Sequence, residues 1–164
     1  MKIYCPNCFE PNEVGQDRCM GCRSVLEWAE EEYVDKLIRA LGHAEPLTAV
    51  RAAEILGNFR EEKVAEALEE VLATSQDPYL LKAATVSLGR IGSTRSIEHI
   101  IALLRDSYLI VRVQAAKTLG EISNESALEA LEEALGDRSE VVRQEAKRGL
   151  EKLFRKMSDE ETRS

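Results

Sequence analysis

The chain has 164 residues with 30 acidic against 22 basic side chains, a formal net charge of −8. That length suits one compact domain plus a small module. The acidic balance argues against generic binding to nucleic acid or anionic membranes, because affinity for phosphate comes largely from Lys and Arg. No cationic-then-apolar N-terminus occurs, nor an uninterrupted apolar run near about 18 residues, so neither a signal peptide nor a transmembrane helix is expected. A cytoplasmic location is the default expectation.

All four cysteines fall in the first 22 residues, as Cys5-Pro6-Asn7-Cys8 and Cys19-Met20-Gly21-Cys22. Two Cys-x-x-Cys pairs at that separation are the ligand set of a tetrahedral metal site, with zinc the first expectation and iron or a redox dithiol the alternatives. Thiols without a secretion signal read as ligands in a reducing compartment, not as disulfides. The Pro, Gly and Asn content of the knuckles and of EPNEVGQD between them suits turns and a short hairpin. Residues 1–26 have no hydrophobic core of their own, so metal binding and folding should be one event, worth on the order of 10–16 kcal/mol in comparable peptides. With four thiolates the site is closed, and the metal structural. YCPNCFEPNEVGQDRCMGCRSVL resembles the short zinc ribbons at the N-termini of many prokaryotic proteins. It departs from them at Phe9 and Arg23, which stand where a Gly commonly follows each knuckle.

The body, residues 27–157, repeats itself. AVRAAEILG, LKAATVSLG, VQAAKTLG and the weaker RQEAKRGLE align on Leu56, Leu88, Leu119 and Leu150, at intervals of 32, 31 and 31. After each of the first three comes a second apolar series: Val64, Leu68, Leu72; Ile97, Ile100/Ile101, Leu104; Leu128, Leu131, Leu135. Both series have helical spacing, so each unit is a helix A, a turn, a helix B and a second turn. Tyr33, Val34, Leu37 and Leu41 match helix B, which gives eight helices: one B, three AB pairs, and a last A from about Ser139 to Lys156. A polar tail, 158–164, follows. Asp77-Pro78 reads as an N-cap and first-turn proline. Asn58 to Glu61 and Asp137 to Glu140 have capping-box spacing. Gly57, Gly89 and Gly120 sit where a left-handed helix C-terminus is expected.

The pattern Asp…Val-Arg…Ala-Ala…Leu-Gly is carried by Asp106, Val111, Arg112, Ala115, Ala116, Leu119 and Gly120. It returns at Asp137, Val142, Arg143, Ala146 and Leu150, and in part at Asp77, Ala84, Leu88 and Gly89, where Leu81 replaces the Arg. It resembles the HEAT-like repeats named after the phycobilisome lyases. The resemblance implies an all-α, HEAT-like α-α superhelix over Tyr33 to Lys156, with Asp and Arg side chains laddering between neighbours.

Such arrays present extended surfaces to partners. The resemblance places B helices on the concave side, where Glu66, Glu98 and Glu129 fall in register, accompanied by Glu69, Glu70, Glu132 and Glu133. Like charges in a row repel mildly, so this face is expected to hold a protein partner with a basic segment. Basic residues gather on A helices, most densely at Arg138, Arg143, Lys147, Arg148, Lys152, Arg155 and Lys156. They offer a second reading, nucleic-acid association through the ribbon and last helix, against which the net charge weighs. That helix lacks a B partner, leaving Leu150, Leu153 and Phe154 to be covered by the tail or by a second copy in a dimer.

A catalytic constellation is not evident. His43 is expected in a turn and His99 on a B helix, neither beside another metal ligand or a nucleophile. HEAT-like deoxyhypusine hydroxylases carry repeated His-Glu dyads as iron ligands, and no His-Glu pair occurs here. The expectation is a non-enzymatic interaction scaffold with one structural zinc ion.

Overall fold

The computed structural model describes residues 2–5, 7–13, 16–26, 30–106, 108–122 and 124–161. Pro6, Val14 and Gly15 of the expected head turns, and 162–164 of the expected tail, lie outside them. In the head, β1 (Lys2–Tyr4) pairs antiparallel with β2 (Pro11–Glu13), Ile3 opposite Asn12, as the expected short hairpin. Eight α-helices follow among the described residues: α1 (Glu30–Ala40), α2 (Pro46–Leu56), α3 (Glu62–Thr74), α4 (Pro78–Ile91), α5 (Ile97–Ala102, prolonged by a 3-10 turn to Arg105), α6 (Leu109–Leu119), α7 (Glu125–Ala134) and α8 (Glu140–Glu161). Even-numbered helices are the A series and odd-numbered ones the B series, the order the repeat predicts. The last helix runs five residues beyond the expected Lys156 because KMSDEE holds neither Gly nor Pro to stop it. Part of the expected tail is therefore helical.

Leu56, Leu68, Leu88, Ile100, Leu119 and Leu131 are fully buried between the layers, so the repeat anchors are the core. Burying each such side chain stabilises by about 1.5–3 kcal/mol before entropy is counted. Asp77 caps α4 as expected, accepting from the N–H groups of Tyr79 (2.8 Å) and Leu80 (3.4 Å) ahead of Pro78. Glu45, unremarked in the sequence, does the same for α2, accepting from the Leu47 and Thr48 N–H groups before Pro46. Two expected caps differ. Asn58 turns back and donates to the Ile55 carbonyl, closing α2, while α3 starts after Glu61 without a side-chain cap. Asp137 accepts from the Ser139 N–H in a turn before α8, and its carboxylate also binds Arg112.

Arg112 forms the expected ladder. Its Nε donates to Asp137 Oδ2 at 2.8 Å and its Nη1 to the Asp106 carbonyl at 3.0 Å, with the two side chains 5% and 10% exposed. Arg143 repeats the second bond onto the Asp137 carbonyl at 2.8 Å.

The repeat glycines are not left-handed. Gly57 and Gly120 have φ of −61° and −68°, and Gly89 lies inside α4; the only glycine with positive φ among the described residues is Gly92, at 76°. They are small for a different reason. A Cβ on Gly57 would lie 2.6 Å from Ser87 Oγ, on Gly89 2.7 Å from Thr118 Cγ2, and on Gly120 2.4 Å from Gly149 Cα. Each glycine receives the small residue of the next A helix, and Ser87 donates to the Ala53 carbonyl across the same contact. Successive A helices thus approach closely at a small residue, and at Gly120–Gly149 they meet backbone to backbone.

Successive B helices meet more sparsely, bridged by long side chains: Lys63–Asp35, Arg95–Glu62, Ser96–Glu69 and Arg105–Glu133. A two-layered stack curves toward its more closely spaced layer. The A helices therefore line the inner face and the B helices the outer one, the reverse of the expected placement.

Candidate metal centre and interaction faces

The knuckles are two copies of one backbone motif. Phe9 N–H donates to the Cys5 carbonyl and Arg23 N–H to the Cys19 carbonyl; Cys5 N–H reaches Glu10 O and Cys19 N–H reaches Ser24 O. Phe9 and Arg23 hold φ of 58° and 60°, so both take the left-handed conformation that the ribbon pattern gives to Gly. Such residues cost about 1–3 kcal/mol each and persist only where the surroundings over-determine them.

All four sulfurs lie within 4.8 Å of one another, with Cys5–Cys22 and Cys8–Cys19 each at 3.5 Å. Four thiolates about 2.3 Å from one tetrahedral ion would stand about 3.8 Å apart, so the set fits a metal. Donors surround the sulfurs: Asn7 N–H on Cys5 (3.4 Å), Gly21 N–H on Cys19 (3.3 Å), and the side-chain amides of Asn7 and Asn12 on Cys22 and Cys19 (3.7 Å each). Ser24 Oγ lies 3.2 Å from Cys5 and 3.0 Å from Cys22. Its hydroxyl and N–H pull the Cys22 thiol down to about 6. At Cys8 the Glu10 backbone lowers the thiol, yet burial and the other three cysteines push it up to about 12. Thiols crowded this closely must share protons, and a divalent cation displaces them.

Sequence reasoning missed the supporting residues. Asn12 is buried at 3% exposure, donating to Glu10 O (2.6 Å) and accepting from Met20 N–H (2.9 Å), so it ties the hairpin to the second knuckle. An Asn in a strand, where it is disfavoured, was the available signal. The head is also docked on the array. Tyr4 N–H donates to the hydroxyl of buried Tyr33 on α1 at 3.1 Å, Tyr33 meets Phe59 edge-on with ring centres 5.9 Å apart, and Tyr4 and Phe9 pack on the repeat core.

The predicted acidic positions lie on α3, α5 and α7. Glu66, Glu70, Glu98, Glu129, Glu132 and Glu133 are exposed and Glu69 half-buried. They are not one uninterrupted row of repulsion. Arg95 Nη1 sits 2.7 Å from Glu62 and 3.7 Å from Glu66, Arg105 is 3.1 Å from Glu133, and Glu69 accepts from Ser96. The middle unit supplies cations between flanking acids, a relief the register argument left out. His43 is exposed after α1, accepting from the Glu45 N–H, and His99 is exposed on α5. Leu150 and Leu153 are buried within the chain, while Phe154 is 51% exposed. Among the described residues no helix is long and apolar enough to cross a membrane.

Paired helices stacked on glycine contacts, with a four-cysteine head, define a helical-repeat protein carrying a small candidate metal module. The model of the HEAT repeats family matches residues 15–89 and 70–151, and the chain belongs to that family. No curated protein sequence matches it. Among solved structures, human deoxyhypusine hydroxylase is similar at 27% identity and TM-score 0.67, over 86% of this chain and 51% of that one. An engineered protein is similar at 23% identity and TM-score 0.54, covering 75% and 63%. The complex of CpcE and CpcF of phycocyanin lyase from Nostoc gives 18% identity and TM-score 0.56, covering 80% and 70%. The last two show the fold alone. The chain spans about half the length of the hydroxylase chain.

Proposed function

We propose that the chain is a non-catalytic protein-interaction scaffold whose head is held by one structural zinc ion on Cys5, Cys8, Cys19 and Cys22. It works in a reducing compartment, the cytoplasm, where four free thiols persist as ligands. Zinc would supply a cross-link, closing a head whose own buried cluster among the described residues is Cys5, Cys19 and Leu26. The partner is a protein with a basic segment, held on the outer, B-helix face. The observation that carries this reading is the exposed carboxylates Glu66, Glu98 and Glu129, joined by Glu132 on α7, a helix with no Lys or Arg; Arg95 beside Glu66 and Arg105 on Glu133 offset only part of that charge. The phycocyanin lyase neighbour is a complex of two named chains, which supports the use of such an array for holding another protein.

The test is affinity purification of the tagged chain followed by mass spectrometry, beside the variant Glu66→Lys/Glu98→Lys/Glu129→Lys. Partner recovery should collapse in the variant and weaken with salt in the native chain. Equal recovery by both would sink the reading.

A further inference from the structure

The inner face holds a second site of opposite character. Where the head docks, a cleft of about 670 Å³ opens between it and the A helices α2 and α4. Tyr4, Phe9 and Pro11 line it from the head; Val50, Ile55, Ala83 and Val86 line it from α2 and α4, together with Tyr79 of α4, which is 64% exposed. Arg51, Lys82 and Arg90 project into the same cleft, against Glu10 and Glu54. In a chain of net charge −8, that is a local cationic excess over an apolar floor. It continues along the A layer, where Lys117, Arg148 and Lys152 surround a smaller hollow beside Glu145, itself 2.7 Å from Arg148.

We propose that this cleft is a docking site for an acidic, extended segment of another protein, anchored by an aromatic or aliphatic side chain on the apolar lining that includes Phe9 and Tyr79. Three features select that occupant. The opening is concave and about the size that takes a few side chains. Its lining carries two tyrosines and a phenylalanine, residue types that anchor peptides at little entropic cost. Its charge opposes the outer face, so an acidic segment repelled by the carboxylates of α3 and α7 is steered to the inner side. The site also depends on the metal module. Tyr4 immediately precedes Cys5, and Phe9 immediately follows Cys8 in the strained left-handed conformation. Releasing the metal therefore dismantles one wall while α2 and α4 keep the other.

This proposal stands independently of the outer-face reading, and the test separates them. The zinc-loaded chain is titrated, by fluorescence anisotropy, with an acidic peptide carrying one central phenylalanine. A matched peptide with its acids replaced by lysine, and a single-stranded oligonucleotide, serve as the other probes. The acidic peptide should bind, and Lys82→Glu/Arg90→Glu should raise its Kd about tenfold or more, as should Tyr79→Ala. Glu66→Lys/Glu98→Lys/Glu129→Lys should leave that affinity in place while abolishing capture of the lysine peptide. Chelation should abolish acidic-peptide binding alone. All substituted residues are exposed, and circular dichroism verifies that each variant is folded. Equal acidic-peptide affinity in the native chain and Lys82→Glu/Arg90→Glu would overturn the proposal. So would binding that survives chelation, or an oligonucleotide binding more tightly than the peptide.

Discussion

Arg112 and Asp137 form an ion pair in which neither side chain is more than 10% exposed, so the pair matters chiefly through what its disruption leaves behind. Asp137→Asn keeps the shape but removes the charge facing Arg112, and breaking a buried pair from one side costs about 3–5 kcal/mol. Urea melts at neutral pH should show that loss, whereas Arg112→Met/Asp137→Leu together should recover much of it. The pH dependence follows from the same geometry. Burial raises the Asp137 carboxyl, but Arg112's hydrogen bond and charge and the Ser139 N–H outweigh it and hold it below the ordinary aspartate range. Its contribution is therefore fully present above that range and is lost as pH falls through the depressed value. Asp137→Asn should flatten this part of the acid limb of stability against pH; an unchanged limb would show that other carboxylates carry it. This pair was expected from the resemblance to HEAT-like repeats, which the recurring Asp…Val-Arg pattern carries. The left-handed backbone at Phe9 and Arg23 was legible only as a departure, since a bulky residue at a glycine position does not say whether the backbone or the pattern gave way.

At the level of helices, periodicity was sufficient to place all eight, because each buries one stripe and the stripes repeat at fixed intervals. It was not sufficient to explain the glycines. A glycine after an apolar run can serve positive φ or close approach, and only the neighbouring helix distinguishes them. The neighbours decide for close approach at Gly57, Gly89 and Gly120, and this in turn places the A layer on the inside. The two roles predict different mutational rules. Gly120→Ala puts a methyl 2.4 Å from Gly149 Cα, backbone that cannot rotate away, and should cost about 1–3 kcal/mol or more by overpacking. Gly120→Asn should be at least as damaging. At Gly92, φ is 76° and the space for a Cβ is open, so Gly92→Ala should cost about 1–2 kcal/mol and Gly92→Asn distinctly less. Thermal melts of these four variants suffice. Rescue of position 120 by Asn would mean that its backbone, not its neighbour, requires glycine.

For the molecule as a whole, the question is whether head and array are one folding unit. The array has its own continuous core from Tyr33 to Leu153, whereas the head's buried cluster is, among the described residues, Cys5, Cys19 and Leu26. Among the described residues, they are joined by the Tyr4–Tyr33 hydrogen bond and by the packing of Tyr4 and Phe9 on the repeat core. None of this was legible in the sequence, because a contact between residues 29 positions apart follows from how the chain docks, not from a periodic pattern. These energetics predict separable unfolding. Cys22→Ser, or a chelator on the native chain, should remove one metal equivalent by elemental analysis, and zinc should leave the protein colourless where iron would not. Because the ligands must be thiolates, metal release should also set in as pH falls and protons compete for sulfur. The far-UV helical signal should remain largely intact. The near-UV signal should change, since Tyr33, now buried with its hydroxyl accepting from Tyr4, would face water. The array's own melting point should fall only slightly, in keeping with the loss of one hydrogen bond of about 0.5–1.5 kcal/mol and a modest apolar contact. A single cooperative transition in which metal loss melts the helices as well would require the head to be the array's N-terminal cap, stabilising α1 and through it every later repeat.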